Sequence, residues 1–247
     1  MDDGVSILGL LLAVCLALVH VFASRSRWLT YIPHRWWISF AGGISIAYIF
    51  LQVFPELSQA QTEVEHNGGL LVDYLENHVY LLALAGLALF YGLEKLALRS
   101  RRHNQKTNGD NTTQPGIFWI HIISFAIYNA ILGYLFRESA NHGLVQCLLL
   151  FVALALHFIV NDIGLREHHK QIYDRLGRWL LAASIFIGWA VGQSAHFNAA
   201  AVAAIWALVA GGIILNVMKE ELPEKQESHF GLFMTGAVIY AAVLLVA

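Results

Sequence analysis

Charge is scarce in this chain. Asp, Glu, Lys and Arg make up only 13% of its 247 residues, against 57% hydrophobic residues, whereas a water-soluble domain carries about 25% charged residues. A soluble globular fold is therefore excluded, and the composition is that of an integral membrane protein whose first partner is the lipid bilayer. Cysteine is nearly absent as well. Cys15 and Cys147 lie far apart inside apolar runs without CxxC spacing, which excludes a disulfide framework and a thiolate metal cluster. The four prolines leave long stretches uninterrupted. No nucleic-acid partner is expected.

What is present is a series of apolar runs. A membrane-spanning helix needs about 17 to 25 such residues, and eight segments meet that length, roughly 4–24, 37–54, 79–98, 117–136, 145–164, 179–195, 199–218 and 229–247. The first lacks a basic leader and a small-residue cleavage site and is read as a span rather than a signal peptide. The fold class is thus an all-α integral membrane protein, a bundle of eight transmembrane helices forming one domain over residues 1–247.

Basic residues sort to one side of this arrangement. Of the 15 Lys and Arg residues, all but Arg137 fall in the connections after spans 1, 3, 5 and 7 or, for Lys95, in the last turn of span 3 leading into one. The positive-inside rule puts those connections in the cytoplasm and both termini outside it, as expected of a multi-pass protein of the cell (inner) membrane. Between Glu56 and His78 there is neither Lys nor Arg, only an acidic outer connection with Glu63, Glu65, Asp73 and Glu76. Residues 99–116 are polar and are expected as a flexible cytoplasmic linker between spans 3 and 4.

Two spans share a pattern. Ala41-Gly42-Gly43-Ile44 precedes Phe54-Pro55-Glu56 in span 2, and Ala210-Gly211-Gly212-Ile213 precedes Leu222-Pro223-Glu224 in span 7. The assigned topology gives these spans opposite directions, which is the mark of an inverted repeat.

A few polar side chains interrupt the apolar runs, and each needs a reason, because an ionisable group at a helix centre costs a few kcal/mol on insertion scales. Span 5 carries His157, Asn161 and Asp162; span 4 carries His121 and Asn129. His157 and Asn161 are one helical turn apart on a shared face. Helix rise places His157 roughly 10 Å from the cytoplasmic end of its span and His121 near the level of Asn161 and Asp162. Two readings fit. Imidazole nitrogen with carboxylate and amide oxygen suits a divalent cation, zinc first and iron, manganese or cobalt after it. Alternatively the same groups are interhelical hydrogen bonds worth around 0.6 kcal/mol each. His20 lies near the cytoplasmic end of span 1, and His168 and His169 are expected to be solvated.

At these residues the chain resembles the ZIP family of divalent metal transporters. The likeness rests on eight spans, a linker after span 3, the Gly-rich second span ending in Phe54-Pro55-Glu56, and span 5, where His157-Phe-Ile-Val-Asn-Asp-Ile-Gly164 stands against the family pattern His-Glu-x-Pro-His-Glu-x-Gly. His157 and Gly164 match and Asp162 keeps a carboxylate; Phe158, Val160 and Asn161 differ, and in span 4 His121 alone matches the family's His-Asn-x-x-Asp-Gly. The resemblance implies a 3+2+3 arrangement, a homodimer, and a divalent cation as transported substrate rather than a catalysed reaction. It implies a reduced metal site between spans 4 and 5, formed by His157, Asp162, Asn161, His121 and Asn129. Two other functions stand beside it: a non-transporting membrane protein whose polar groups only pack, and an intramembrane zinc hydrolase in which bound metal activates water.

Overall fold

The computed structural model describes residues 3–22, 34–67, 78–139, 144–195, 197–221 and 229–246. Among them the chain is helical and contains no strand. Nine α-helices follow in order: α1 (Asp3–Phe22), α2 (His34–Tyr48), α3 (Phe54–Asn67), α4 (His78–Asn108), α5 (Pro115–Ser139), α6 (Leu144–Ile172), α7 (Arg178–Ser194), α8 (Ala199–Asn216) and α9 (Phe230–Val246). Three π-helical turns, Ile49–Val53, Tyr173–Gly177 and Val217–Glu221, join α2 to α3, join α6 to α7 and extend α8. A π turn inserts one residue into the hydrogen-bond ladder and rotates every side chain beyond it.

Five helical runs among the described residues are long and apolar enough to cross a membrane: Ser39–Glu65, Val79–Thr107, Pro115–Arg137, Cys147–Ser194 and Ala199–Lys219. Ile7–Phe22 and Phe230–Leu245 are apolar but shorter. Large apolar side chains such as Leu84, Ile127 and Ile187 are more than half exposed, as a bilayer-facing surface requires.

Several helices outrun the apolar segments that define them in sequence. Residues 99–108, within the stretch expected as a flexible linker, continue α4. The turn beyond them begins at Gly109, whose φ of +70° suits a residue without Cβ. Its polar groups bond to the helix end: Arg101 Nε donates to Asn111 Oδ1 at 2.6 Å, Asn104 Nδ2 to the Thr112 carbonyl at 2.9 Å, and the Gln114 amide to Ser100 Oγ at 2.8 Å. Likewise Glu56–Asn67 is helix rather than outer loop. The connection between the fifth and sixth apolar runs is also helical, broken at Lys170 (φ 45°, ψ −117°). The remaining acidic positions, Asp73 and Glu76, lie outside the described residues, as do Pro223 and Glu224.

Two compact units make up the chain. The first comprises Met1–Ser26 and Tyr91–Ser194. Here α7 packs along α5 and α1, and α1 also meets α6. The α5–α7 contact is close because both helices offer glycine: a Cβ on Gly133 would overlap the Ile185 carbonyl oxygen, and one on Gly188 would overlap that of Ala130. Small residues of this kind let helix backbones approach in a medium where burying apolar surface gives no advantage. Arg178 secures the end of α1, donating to the Val21 carbonyl at 3.3 Å.

The second unit comprises Arg27–Phe90 and Ala195–Ala247. In it α2 packs on α9 and α3 on α8. Its main polar tie is Tyr240 Oη, which donates to Gln52 Oε1 at 2.8 Å, both residues being buried. Gln52 lies in the π turn Ile49–Val53.

Candidate functional site

All five residues singled out in the sequence lie in the first unit, on α5 and α6, and all are buried: His121 3%, Asn129 0%, His157 4%, Asn161 6% and Asp162 0% exposed. They fall among separate partners rather than into one ligand shell.

Asp162 pairs with His20 of α1. His20 Nδ1 lies 2.9 and 3.0 Å from the two carboxylate oxygens, and neither side chain has any exposed surface. A carboxylate in an apolar interior needs a donor, and an imidazole N–H placed between both oxygens supplies it. The Tyr173 hydroxyl stands close to the same carboxylate without strict hydrogen-bond geometry to it. The His20 ring lies against Phe158, with centroids 4.4 Å apart. Thus Phe158 is a packing surface for an imidazole from another helix. The His157 ring is 6.1 Å from Phe158, and His157 Nε2 is hydrogen-bonded to the Tyr128 hydroxyl at 2.9 Å.

His121 belongs to a second group. Its Nδ1 lies 3.0 Å from His169 Nε2, and His169 Nδ1 lies 2.5 Å from Thr113 Oγ1. Beside it, His168 Nε2 meets Glu94 Oε1 at 3.1 Å. His168 and His169, expected to be solvated, are instead 6% and 1% exposed. The cause is the continuation of α6 beyond its apolar run, which carries both rings back among α4, α5 and the 109–114 turn.

Open valences remain. Both amide atoms of Asn129, Nδ2 of Asn161 and Nε2 of His20 are buried without a hydrogen-bond partner. Such groups are costly unless something occupies them. Among the described residues no three His, Cys, Asp or Glu side chains gather around a point fit for a metal ion, so any cation site here must draw on the amides as well.

Sequence reasoning gave no role to His20, Tyr128, Tyr173 or Glu94. A lone imidazole in an apolar run, as in α1, was the available signal for His20. The others carry none, since a tyrosine or a glutamate near a span end is ordinary. Neither a family model, nor a curated protein, nor a solved structure matches the chain.

Proposed function

We propose that this protein is a ZIP-like membrane transporter that carries a divalent cation, zinc before iron, manganese or cobalt, into the cytoplasm. The observation that carries the reading is the set of buried polar groups around α1, α5 and α6, namely Asp162, His20, His157, Asn129 and Asn161, of which His20, Asn129 and Asn161 keep open valences. An apolar interior does not keep a carboxylate, two imidazoles and two amides without use for them. Nitrogen and oxygen donors of this kind suit a borderline divalent ion that must bind and then leave.

We read the architecture as eight spans. At about 1.5 Å per residue the run Cys147–Ser194 would extend to more than twice a bilayer core of about 30 Å, and it is broken at Lys170. Counting it as two spans, and adding the two shorter apolar helices, gives eight. The inverted repeat gains support from a feature invisible in sequence. The π turns Ile49–Val53 and Val217–Glu221 each begin six residues before the proline of the shared pattern. In each Ala-Gly-Gly motif one glycine also meets a neighbouring backbone, Gly43 that of Phe233 and Gly211 that of Ala83.

Mutual satisfaction of several groups favours a second reading. His157 with Tyr128, and His121 with His169, already form hydrogen-bonded pairs, as groups that serve only to hold helices together would. Zinc uptake into liposomes reconstituted with the full chain separates the two. Transport predicts uptake above that of empty liposomes, abolished in His157→Ala. Uptake no faster than in empty liposomes sinks the transport reading and leaves the structural one.

A further inference from the structure

We propose that His20 is itself a ligand of the transported cation, through Nε2, and that Asp162 is the carboxylate that orients this imidazole. The proposal rests on the transport reading and names a ligand on α1, outside the pair of helices to which sequence confines the site.

The protonation pattern follows from the geometry. A carboxylate only accepts hydrogen bonds, so the ring nitrogen placed 2.9 and 3.0 Å from both Asp162 oxygens must carry a proton. In the neutral imidazole this leaves the lone pair on Nε2. That nitrogen is fully enclosed and has no partner. The arrangement is the one metal-binding histidines adopt: the non-ligating ring N–H is given to a carboxylate, which fixes the tautomer, holds the ring plane and makes the free nitrogen more basic. Phe158 braces the ring from one side at 4.4 Å, with the planes inclined by 30°. The opposite possibility, a doubly protonated His20 serving only as counter-charge, would bury an N–H with nothing to receive it. Asp162 meanwhile has both oxygens engaged by His20 and the Tyr173 hydroxyl close by, so it is better suited to orient a ligand than to be one.

The reading also fits the absence of a cluster of three ionisable ligands among the described residues. Once Asp162 orients a ligand instead of binding the ion, the nitrogen of His20 needs amide oxygens rather than further carboxylates beside it. Asn129, buried on α5 with both amide atoms open, is of the right type.

The test uses the full chain in detergent micelles with zinc ions alone, read by calorimetric titration and by zinc K-edge X-ray absorption, which counts bound imidazoles. Relative to the unmutated protein, His20→Gln and His20→Phe are expected to lose one imidazole from the zinc shell and most of the affinity. Asp162→Asn is expected to keep the imidazole count while weakening binding by about 10- to 100-fold, as loss of an orienting partner does. An unchanged imidazole count and affinity in the His20 variants overturns the proposal and leaves the transport reading standing. An unmutated protein that binds no zinc overturns both. Should the His20 variants fail to fold, 15N-histidine resonances of the unmutated protein decide. Zinc must then move the unprotonated Nε2 of an Nδ1-protonated ring, and no such movement refutes the assignment.

Discussion

His20 Nδ1 lies 2.9 and 3.0 Å from the two oxygens of Asp162, a residue 142 positions further along the chain, and neither side chain reaches the surface. This contact ties the end of α1 to α6 inside the first unit. Removing His20 leaves the Asp162 carboxylate as an uncompensated buried charge, at a cost of about 3–5 kcal/mol. His20→Ala is therefore expected to lower the thermal unfolding temperature in detergent sharply. In His20→Ala/Asp162→Ala the loss should be much smaller than the sum of the single losses. A double-mutant cycle with no coupling would contradict the pairing.

The sequence discloses one half of this contact and hides the other. Asp162 stands out because a carboxylate interrupts an apolar run, and its interior position could be read from hydropathy alone. Its partner could not, since nothing local relates position 20 to position 162; only the packing of α1 on α6 does so. The same limit explains His168 and His169. Neighbouring Lys and Arg made them look solvated, but α6 continues past its last apolar residue, so the rings turn inward onto Glu94 and His121. Polar composition at 99–116 likewise speaks for loop, while the hydrogen bonds that end α4 there are tertiary facts. Apolar periodicity marks where helices exist. It does not mark how far they run or what their ends touch.

Backbone contact between α5 and α7 leaves no room for a methyl group. A Cβ at position 188 would overlap the Ala130 carbonyl oxygen, and backbone cannot swing aside as a side chain can. Gly188→Ala should therefore push the helices apart and destabilise the protein by roughly 1–3 kcal/mol. Gly92 on α4 is the control, because a methyl group there would meet nothing within 4 Å. Gly92→Ala should gain up to about 1 kcal/mol from helix propensity. Thermal unfolding of the two variants in the same detergent should thus shift in opposite directions.

Lys170 carries a backbone conformation that side chains disfavour, with φ at 45° and ψ at −117° where α6 breaks ahead of the Tyr173–Gly177 turn. Residues held there cost about 1–3 kcal/mol, and glycine removes the clash between Cβ and backbone. Lys170→Gly is expected to raise the unfolding temperature, offset in part by the freedom glycine gains in the unfolded chain. A lower temperature than that of the unmutated protein would show that the Lys170 side chain, not the turn, governs stability at this break.

In the second unit a buried hydrogen bond ties the π turn after α2 to α9: Tyr240 donates to Gln52 Oε1 at 2.8 Å. The π turn needs such support because its wider ladder bonds less well than an α-helix. Tyr240→Phe keeps the ring, and with it the edge-on contact to Tyr48 at 6.3 Å, but removes the donor and strands a buried amide oxygen, at a cost of about 1–3 kcal/mol. The loss should be local before it is global. Hydrogen exchange is expected to quicken at the amides of Ile49–Val53 relative to those of α8, while zinc uptake, if carried by the first unit's residues, keeps its affinity. Equal acceleration across both helices would mean that the bond stabilises the whole unit rather than the turn.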